Sequence, residues 1–212
     1  AEPRGLLRVS APVLYGRRYL APVVSDYLCR YPGARIELVL ADRRVDLVDE
    51  VFDLAIRIGA LDDSSLAARK LGEGHVYYVA SPALLGRRAF SAQALPRARC
   101  VGMQPVETWA LGGAQWKVEP VLVVNDLEVA CDAAIAGVGV ARLPGIVCRE
   151  AVLAGRLQIL FGAEASLLRP VYVVFPSRRQ MAAKVRIFID ALAALVQPME
   201  PLSPSLGRGR SS

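Results

Sequence analysis

Arg57 is the residue that first points to chemistry in this chain. It interrupts Val51-Phe-Asp-Leu-Ala-Ile-Arg-Ile-Gly59, a short apolar stretch rich in branched side chains. That pattern marks a strand buried on both faces, as in a parallel sheet. A guanidinium near the end of such a strand is costly unless an anionic or hydrogen-bonding group meets it, so Arg57 is read as facing a ligand. Other reactive types are scarce. His75 is the only histidine; it opens a strand-like run, with no G-x-S-x-G nucleophile motif, and reads as a core or crossover residue rather than a base. Asp62-Asp63 precede Ser64 as turn residues, not as a catalytic pair. Cys29, Cys100, Cys131 and Cys148 lie far apart with no C-x-x-C spacing, which argues against a zinc site. They read as buried free thiols, with a redox pair as the lesser alternative. Gly137-Val-Gly-Val-Ala-Arg-Leu-Pro-Gly145 invites a dinucleotide reading, but its glycines follow a helix, whereas the nucleotide fingerprint needs a strand before and a helix after. Without a base, a metal set or a phosphate loop, the sequence points away from an enzyme, and no cofactor or metal is expected. Binding remains.

The elements that position Arg57 begin with Gly5-Leu-Leu-Arg-Val-Ser10, a strand that ends on Ser10-Ala-Pro12. Serine before proline is a helix-entry signal: an oxygen to cap free N–H groups, then a residue with φ preset for the first turn. The helix behind it carries Tyr19, Leu20, Val23, Val24, Tyr27 and Leu28 on one apolar face and stops at Tyr31-Pro32-Gly33. Arg35 to Leu40 is a second strand. Val45 to Phe52 is a short helix with Leu47, Val48, Val51 and Phe52 on one side. The strand holding Arg57 then completes a β-α-β-α-β unit whose right-handed crossovers give a parallel sheet. Ligands meet such sheets at the carboxyl ends of strands, here Ser10-Ala11-Pro12, Ala41-Asp42 and Ile58-Gly59.

A second lobe starts near Gly74 with the strand His75 to Ala80. Ser81-Pro82 is another helix entry, Arg99 to Met103 a short strand, and Trp109 and Trp116 flank a Gly-Gly in an irregular hairpin. Val121 to Val124 runs into Asn125-Asp-Leu-Glu128, read as a strand, an Asn cap and a Glu that completes a capping box. Leu127, Ala130, Cys131 and Ala134 form one face of the helix that follows. Val138 to Arg142 is a tight strand, Pro144 opens a helix ending at Gly155, and Arg156 to Leu160 closes the lobe. Arg169 to Phe175 is a further apolar strand. The final helix, Met181 to Val196, aligns Met181, Val185, Phe188, Ile189, Leu192 and Val196, a stripe that suits either lobe. The tail from Gln197, rich in proline and ending Gly-Arg-Gly-Arg-Ser-Ser, buries too little to order itself. The helix N-termini at Ser10–Pro12 and Asn125 both lie at strand ends and favour small anions.

Composition narrows the class. At 212 residues and 54% hydrophobic, the chain builds one large domain or two small ones. No apolar run reaches the ~18 residues of a membrane span, and Ala1-Glu-Pro-Arg does not open a signal peptide. The expected location is cytoplasmic, with no membrane partner. The net charge of +6 comes from scattered pairs (Arg17-Arg18, Arg43-Arg44, Arg87-Arg88, Arg178-Arg179), not from the dense basic stripe of a nucleic-acid face.

An ordered set of fragments adds a family. Gly5-Leu-Leu-Arg-Val-Ser-Ala-Pro12, Leu20-Ala-Pro-Val, Arg30-Tyr-Pro32, Asp53-Leu-Ala-Ile-Arg-Ile-Gly59, Asp63-Ser-Ser-Leu66, Ala80-Ser-Pro82 and Ala136-Gly-Val-Gly-Val-Ala-Arg-Leu-Pro144 occur in this order. Together they resemble the effector-binding domain of LysR-type transcriptional regulators, over nearly all residues up to about Val196. The resemblance implies an α/β fold of two Rossmann-like subdomains joined by two crossovers, similar to type 2 periplasmic binding proteins. Residues 1–68 and 168–197 would form regulatory subdomain I, 69–167 subdomain II and 198–212 a disordered tail.

It also implies a ligand-sensing domain of a bacterial regulator that binds a small, anionic organic effector between the subdomains and acts as a homodimer or tetramer. DNA would be reached only through an N-terminal winged helix-turn-helix, which is absent from this chain. The implied effector-binding positions are Ser10, Ala11, Pro12, Asp42, Arg57, Ile58, Gly59, Met103, Asn125, Val140, Arg142, Pro144 and Phe175, with Gly102 beside Met103. Asp42 departs from pockets built purely for anions, since its charge offsets Arg57. Family dimers pair the helix at 17–31 with that at 126–136, which suits the mixed face of Tyr19, Val23, Tyr27 and Arg30. The rival reading, the solute-binding receptor of a transporter, shares the fold but is a monomer.

Overall fold

The computed structural model of the chain describes residues 2–42, 47, 50–61, 66–86, 90–162, 165–177, 181–195 and 201–202. In chain order the first elements are β1 (Gly5–Ala11), α1 (Val13–Tyr15), a π turn (Gly16–Leu20), α2 (Ala21–Arg30), β2 (Ala34–Leu40), β3 (Leu54–Ile58) and β4 (Leu66–Ala80). They are followed by α3 (Pro82–Leu85), a 3-10 helix (Ala92–Arg97), β5 (Cys100–Gly102), β6 (Glu107–Leu111), β7 (Ala114–Val118) and β8 (Leu122–Val123). The chain closes with α4 (Leu127–Ile135), β9 (Val140–Pro144), α5 (Gly145–Leu153), β10 (Gln158–Ile159), β11 (Leu167–Pro176) and α6 (Ala183–Leu195). Two compact units result: Ala1–Glu73 with Arg169–Met199, and Gly74–Leu168 with Glu200–Ser212. The chain passes from one to the other inside the two longest strands, β4 and β11.

In the first unit β1 pairs in parallel with β2 on one side and β3 on the other, and β11 runs antiparallel to β3 with Tyr172 beside Arg57. The helices cover this sheet because their apolar residues recur at helical spacing. Leu20, Val23 and Tyr27 from the first helical segment meet Val185, Phe188, Ile189 and Leu192 of α6 in one buried cluster. The Tyr27 ring stands edge-on to Phe188 at 5.2 Å, and its hydroxyl donates to the Lys184 carbonyl at 3.0 Å. The π turn has a cause in sequence. Pro22 has no N–H to donate four residues back and its ring crowds that carbonyl, so the turn widens and Ala21 N–H reaches Gly16 O instead. Gly16 permits the fit onto β2, because a Cβ there would overlap the Leu40 methyl groups.

The second unit holds β4 between β9 and β10, both antiparallel to it, with β5 parallel to β9 and β8 parallel to β5. Ala130, Cys131 and Ala134 of α4 and Cys148, Ala151 and Val152 of α5 pack on one side of it. A second cluster gathers Tyr78, Leu95, Cys100, Trp109, Leu111 and Val118. Gly139 lets β9 start tight against β5, since a Cβ there would lie 2.6 Å from Arg99 O.

Several expectations are corrected. Ser10 is not a helix cap: it lies inside β1, fully buried, and the residue before α1 is Pro12, with no side-chain cap. The cap of α4 is Asp126, not Asn125, because Asp126 holds the extended conformation from which its oxygen reaches the N–H groups of Glu128 and Val129, each at 2.9 Å. The tryptophan hairpin is regular: Leu111 pairs with Ala114 across Gly112-Gly113, both at positive φ, the two-residue turn whose twist matches the strands. Leu66 to Leu71 and His75 to Ala80 are one continuous strand. Val51, expected on a buried helix face, is exposed with φ 56°; half of that expected helix, Asp62 to Ser65 and Val196 lie outside the described residues. Cys29 is exposed, so only three of the four thiols are buried. Val23 and Tyr27, expected on a mixed helix face, are buried in the core of their own unit, whereas Arg30 is exposed. Leu202, expected in an unburied tail, is 4% exposed against the α4–α5 cluster, where the Tyr77 hydroxyl accepts its N–H at 2.8 Å. One large apolar side chain with a local acceptor suffices to order that point of a proline-rich segment.

Candidate functional site

A cavity of about 490 Å³ opens in the second unit, within the size range of small-molecule pockets. Val101, Gly102 and Met103 at the end of β5 form one wall, Leu127 and Ala130 of α4 another, and Val106 to Trp109 with Arg142 and Leu143 the rest. Strand alternation sets the inner surface: Glu107, Trp109 and Leu111 share one face of β6.

Glu107 organises the polar part. Its Oε1 accepts the backbone N–H of Met103 at 2.5 Å and of Gln104 at 3.2 Å. Its Oε2 accepts the Trp109 indole N–H at 2.6 Å and Arg142 Nη2 at 3.4 Å. The side chains of Glu107 and Arg142 are 13% and 26% exposed, so the pair is held in a mostly desolvated setting where an unpaired charge would be costly. The Arg142 guanidinium also sits 5.7 Å from the Trp109 ring centroid. Gly102 makes room for this carboxylate: a Cβ there would lie 2.6 Å from Glu107 Oε1 and from Pro120 Cγ. Behind the cavity the Tyr78 hydroxyl donates to Ala110 O at 2.6 Å; burial pushes its phenol up, and Arg142 opposes the shift.

In the first unit the expected loops follow the ends of β1, β2 and β3. Ser10 Oγ and Tyr15 OH are buried with no hydrogen-bond partner among the described residues, and burial raises the Tyr15 phenol. Asp42 Oδ1 accepts Val13 N–H at 3.1 Å, so this carboxylate serves the start of the helix, the place where Ser10 was expected to cap. Arg57 is partly buried at the end of β3, with Nη1 3.5 Å from Ile56 O. Ile58 is exposed, and Gly59, at φ 96°, donates its N–H to Pro170 O at 2.8 Å. Phe175 packs at the margin of the core.

The match to known sequences decides the family. The family model described as LysR substrate binding domain matches residues 1–197. This chain belongs to that family. Among its relatives is YhjC of Escherichia coli strain K12, an uncharacterized HTH-type transcriptional regulator, 34% identical over 205 residues that cover 91% of this chain and 68% of YhjC. The HTH-type transcriptional regulator CrgA of Neisseria meningitidis serogroup C is 30% identical over 90% of this chain and 67% of its own length. The solved regulatory domain of CrgA from Neisseria meningitidis superposes with a TM-score of 0.77 at 28% identity, covering 91% of this chain and 98% of that one. The α/β fold and the effector-binding domain of a LysR-type regulator, expected from the ordered fragments, are therefore established, and the transporter receptor is not favoured.

Within this LysR domain the expected positions divide. Met103 and Arg142 line the cavity with Gly102. Ala11 and Val140 are buried in the cores of their units, so their side chains have nothing to offer a ligand. Asn125 is exposed beside the cap rather than acting as it, and Pro144 ends β9 as the residue before α5. Sequence reading missed Glu107 and Trp109 as site residues. The alternation Glu107–Trp109–Leu111 ahead of the Gly-Gly turn was the available signal, since it places a carboxylate on the buried face of a strand. His75 sits with Nδ1 3.1 Å from Ser166 Oγ and its ring stacked 5.9 Å from Tyr77, a structural setting. Among the described residues no group of three His, Cys, Asp or Glu is placed to hold a metal, and no helix is long and apolar enough to cross a membrane.

Proposed function

We propose that this chain senses a small organic effector and, through oligomer contacts and a DNA-binding segment of the intact regulator, converts binding into a change in transcription. The single observation that carries the reading is the family match over residues 1–197, and the cavity beside Met103 and Arg142 supports it. Regulators of this kind act in the cytoplasm on DNA and perform no catalysis; the sequence relatives here are transcriptional regulators. The proposed effector contacts are Ser10, Pro12, Asp42, Arg57, Ile58, Gly59 and Phe175 in the first unit, and Met103, Asn125, Arg142 and Pro144 in the second. Ser10 supports the list in a physical way. A buried hydroxyl without a partner costs about 1–3 kcal/mol, so a ligand atom that pairs with it gains more there than at an exposed site.

The test is a chimera. The whole chain, residues 1–212, joined behind the winged helix-turn-helix of a LysR-type regulator should make a reporter respond to one class of small molecule. Substituting Arg57→Met should abolish that response while the thermal midpoint stays level or rises. A chimera that binds its operator but responds to no metabolite, or an isolated chain that itself binds operator DNA with sequence specificity, would refute the reading.

A further inference from the structure

Three carboxylates of this chain, Asp42, Asp126 and Glu107, occupy donors that an anionic ligand could use. In the first unit Asp42 takes Val13 N–H at the start of the helix. In the second, Asp126 takes Glu128 and Val129 N–H at the start of α4. In the cavity itself Glu107 takes four donors, two backbone N–H groups, the Trp109 indole and Arg142, so both of its oxygens are engaged. Among the described residues, the one cation lining the cavity is thus paired with the one anion lining it. The remaining lining mixes aliphatic side chains with the polar Gln104 and Thr108, and the Trp109 ring is fully buried behind it. An incoming carboxylate would meet Glu107 at close range, and like charges brought together in a desolvated site are strongly disfavoured. It would also compete for an Arg142 already held by a charge-assisted bond.

We infer that the cavity beside Glu107 and Arg142 takes an uncharged ligand and discriminates against carboxylates. This rests on the reading of the chain as a small-molecule sensor and names the ligand class for one site in it. Glu107 is the specificity-determining residue: it neutralises Arg142 and fixes the Met103–Gln104 backbone that forms the rim. Gly102 is the position that admits it.

Three probes of similar size test the inference: benzamide and indole, which are neutral, and benzoate, which is anionic. Binding is read by Trp fluorescence and calorimetry on the whole chain. Benzamide and indole should bind at least roughly tenfold more tightly than benzoate, given the like-charge penalty. Val106→Trp, a change at an exposed lining residue, should remove neutral-probe binding with the thermal midpoint unchanged. In Glu107→Gln, where Arg142 loses its counter-charge, the preference should shift toward benzoate by roughly tenfold or more. Benzoate binding as well as benzamide to the unaltered chain would overturn the inference. So would neutral-probe binding that survives Val106→Trp, or no binding by any probe. If Glu107→Gln unfolds, the unaltered chain and Val106→Trp decide the matter. Such failures would leave the effector reading in place, since the family match carries it and the chimera reports a response to any small molecule, charged or neutral.

Discussion

Glu107 satisfies two backbone donors, an indole and a guanidinium with one carboxylate, so removing it strands the part-buried indole and guanidinium, while the exposed N–H groups of Met103 and Gln104 turn to water. Glu107→Ala should lower unfolding free energy by roughly 2–4 kcal/mol, measured by urea unfolding; a loss under about 0.5 kcal/mol, the range of ordinary surface changes, would show the cluster to be incidental. Cysteine chemistry gives a second prediction at this scale. Burial pushes the thiols of Cys100 and Cys148 up to about 11 and about 12, and that of Cys131 upward, whereas Cys29 is exposed. Iodoacetamide at pH 8 should label Cys29 alone in the folded chain, read by mass spectrometry, and oxidant should form no disulfide among the buried three. The buried thiols are stable as neutral groups. Their contribution to stability is therefore complete below the unfolded cysteine value near pH 8.5 and declines as pH rises through 9 toward the folded values. Arg57 stands out in the sequence because a charge inside an apolar strand is conspicuous, and its effector contact is a proposal. Glu107 does not stand out, because a carboxylate two residues before a tryptophan is also the pattern of an exposed hairpin, and only the chain's return at Gly102 and Arg142 buries it.

At the scale of elements, the helix starts discriminate between local rule and actual geometry. Asp126→Ala should cost about 0.5–2 kcal/mol and Asn125→Ala a few tenths at most, in paired thermal or urea unfolding; the reverse order would restore Asn125 as the cap. Sequence reading found the strand and helix here but placed the cap one residue early, because Asn and Asp are equally good caps and only the backbone dihedrals separate them. The same limit applies at Ser10, where Ser-Ala-Pro reads as a cap although β1 continues through Ala11. The β-α-β order, the Val185, Phe188, Ile189 and Leu192 part of the stripe on α6 and the presence of a hairpin at Gly112-Gly113 were legible, since each rests on periodicity or turn chemistry within a few residues, whereas Met181 is exposed before the helix starts. The π turn was not read from Pro22, although the missing N–H explains it.

For the whole molecule, chain order left the final helix free to join either lobe, only the family resemblance implied a division, and neither pointed to the role of the tail. Ending the chain at residue 199 should remove the Leu202 burial and its bond to Tyr77 and lower stability by about 1.5–3 kcal/mol, the worth of burying one large apolar side chain; an unchanged midpoint would show that this contact contributes nothing. The family was visible in ordered fragments, none decisive alone, because their spacing reflects the same strand ends that carry the loops. What the sequence left open, the effector, depends on how carboxylates and donors meet in space. The most direct measurement is thermal unfolding of the chain across a library of small metabolites, with matched neutral and acidic members. The account predicts that at least one compound, at about 100 times its dissociation constant, adds about 2.7 kcal/mol of stability and raises the midpoint. A library spanning these classes in which no compound moves the midpoint would contradict the claim that this chain is a small-molecule sensor.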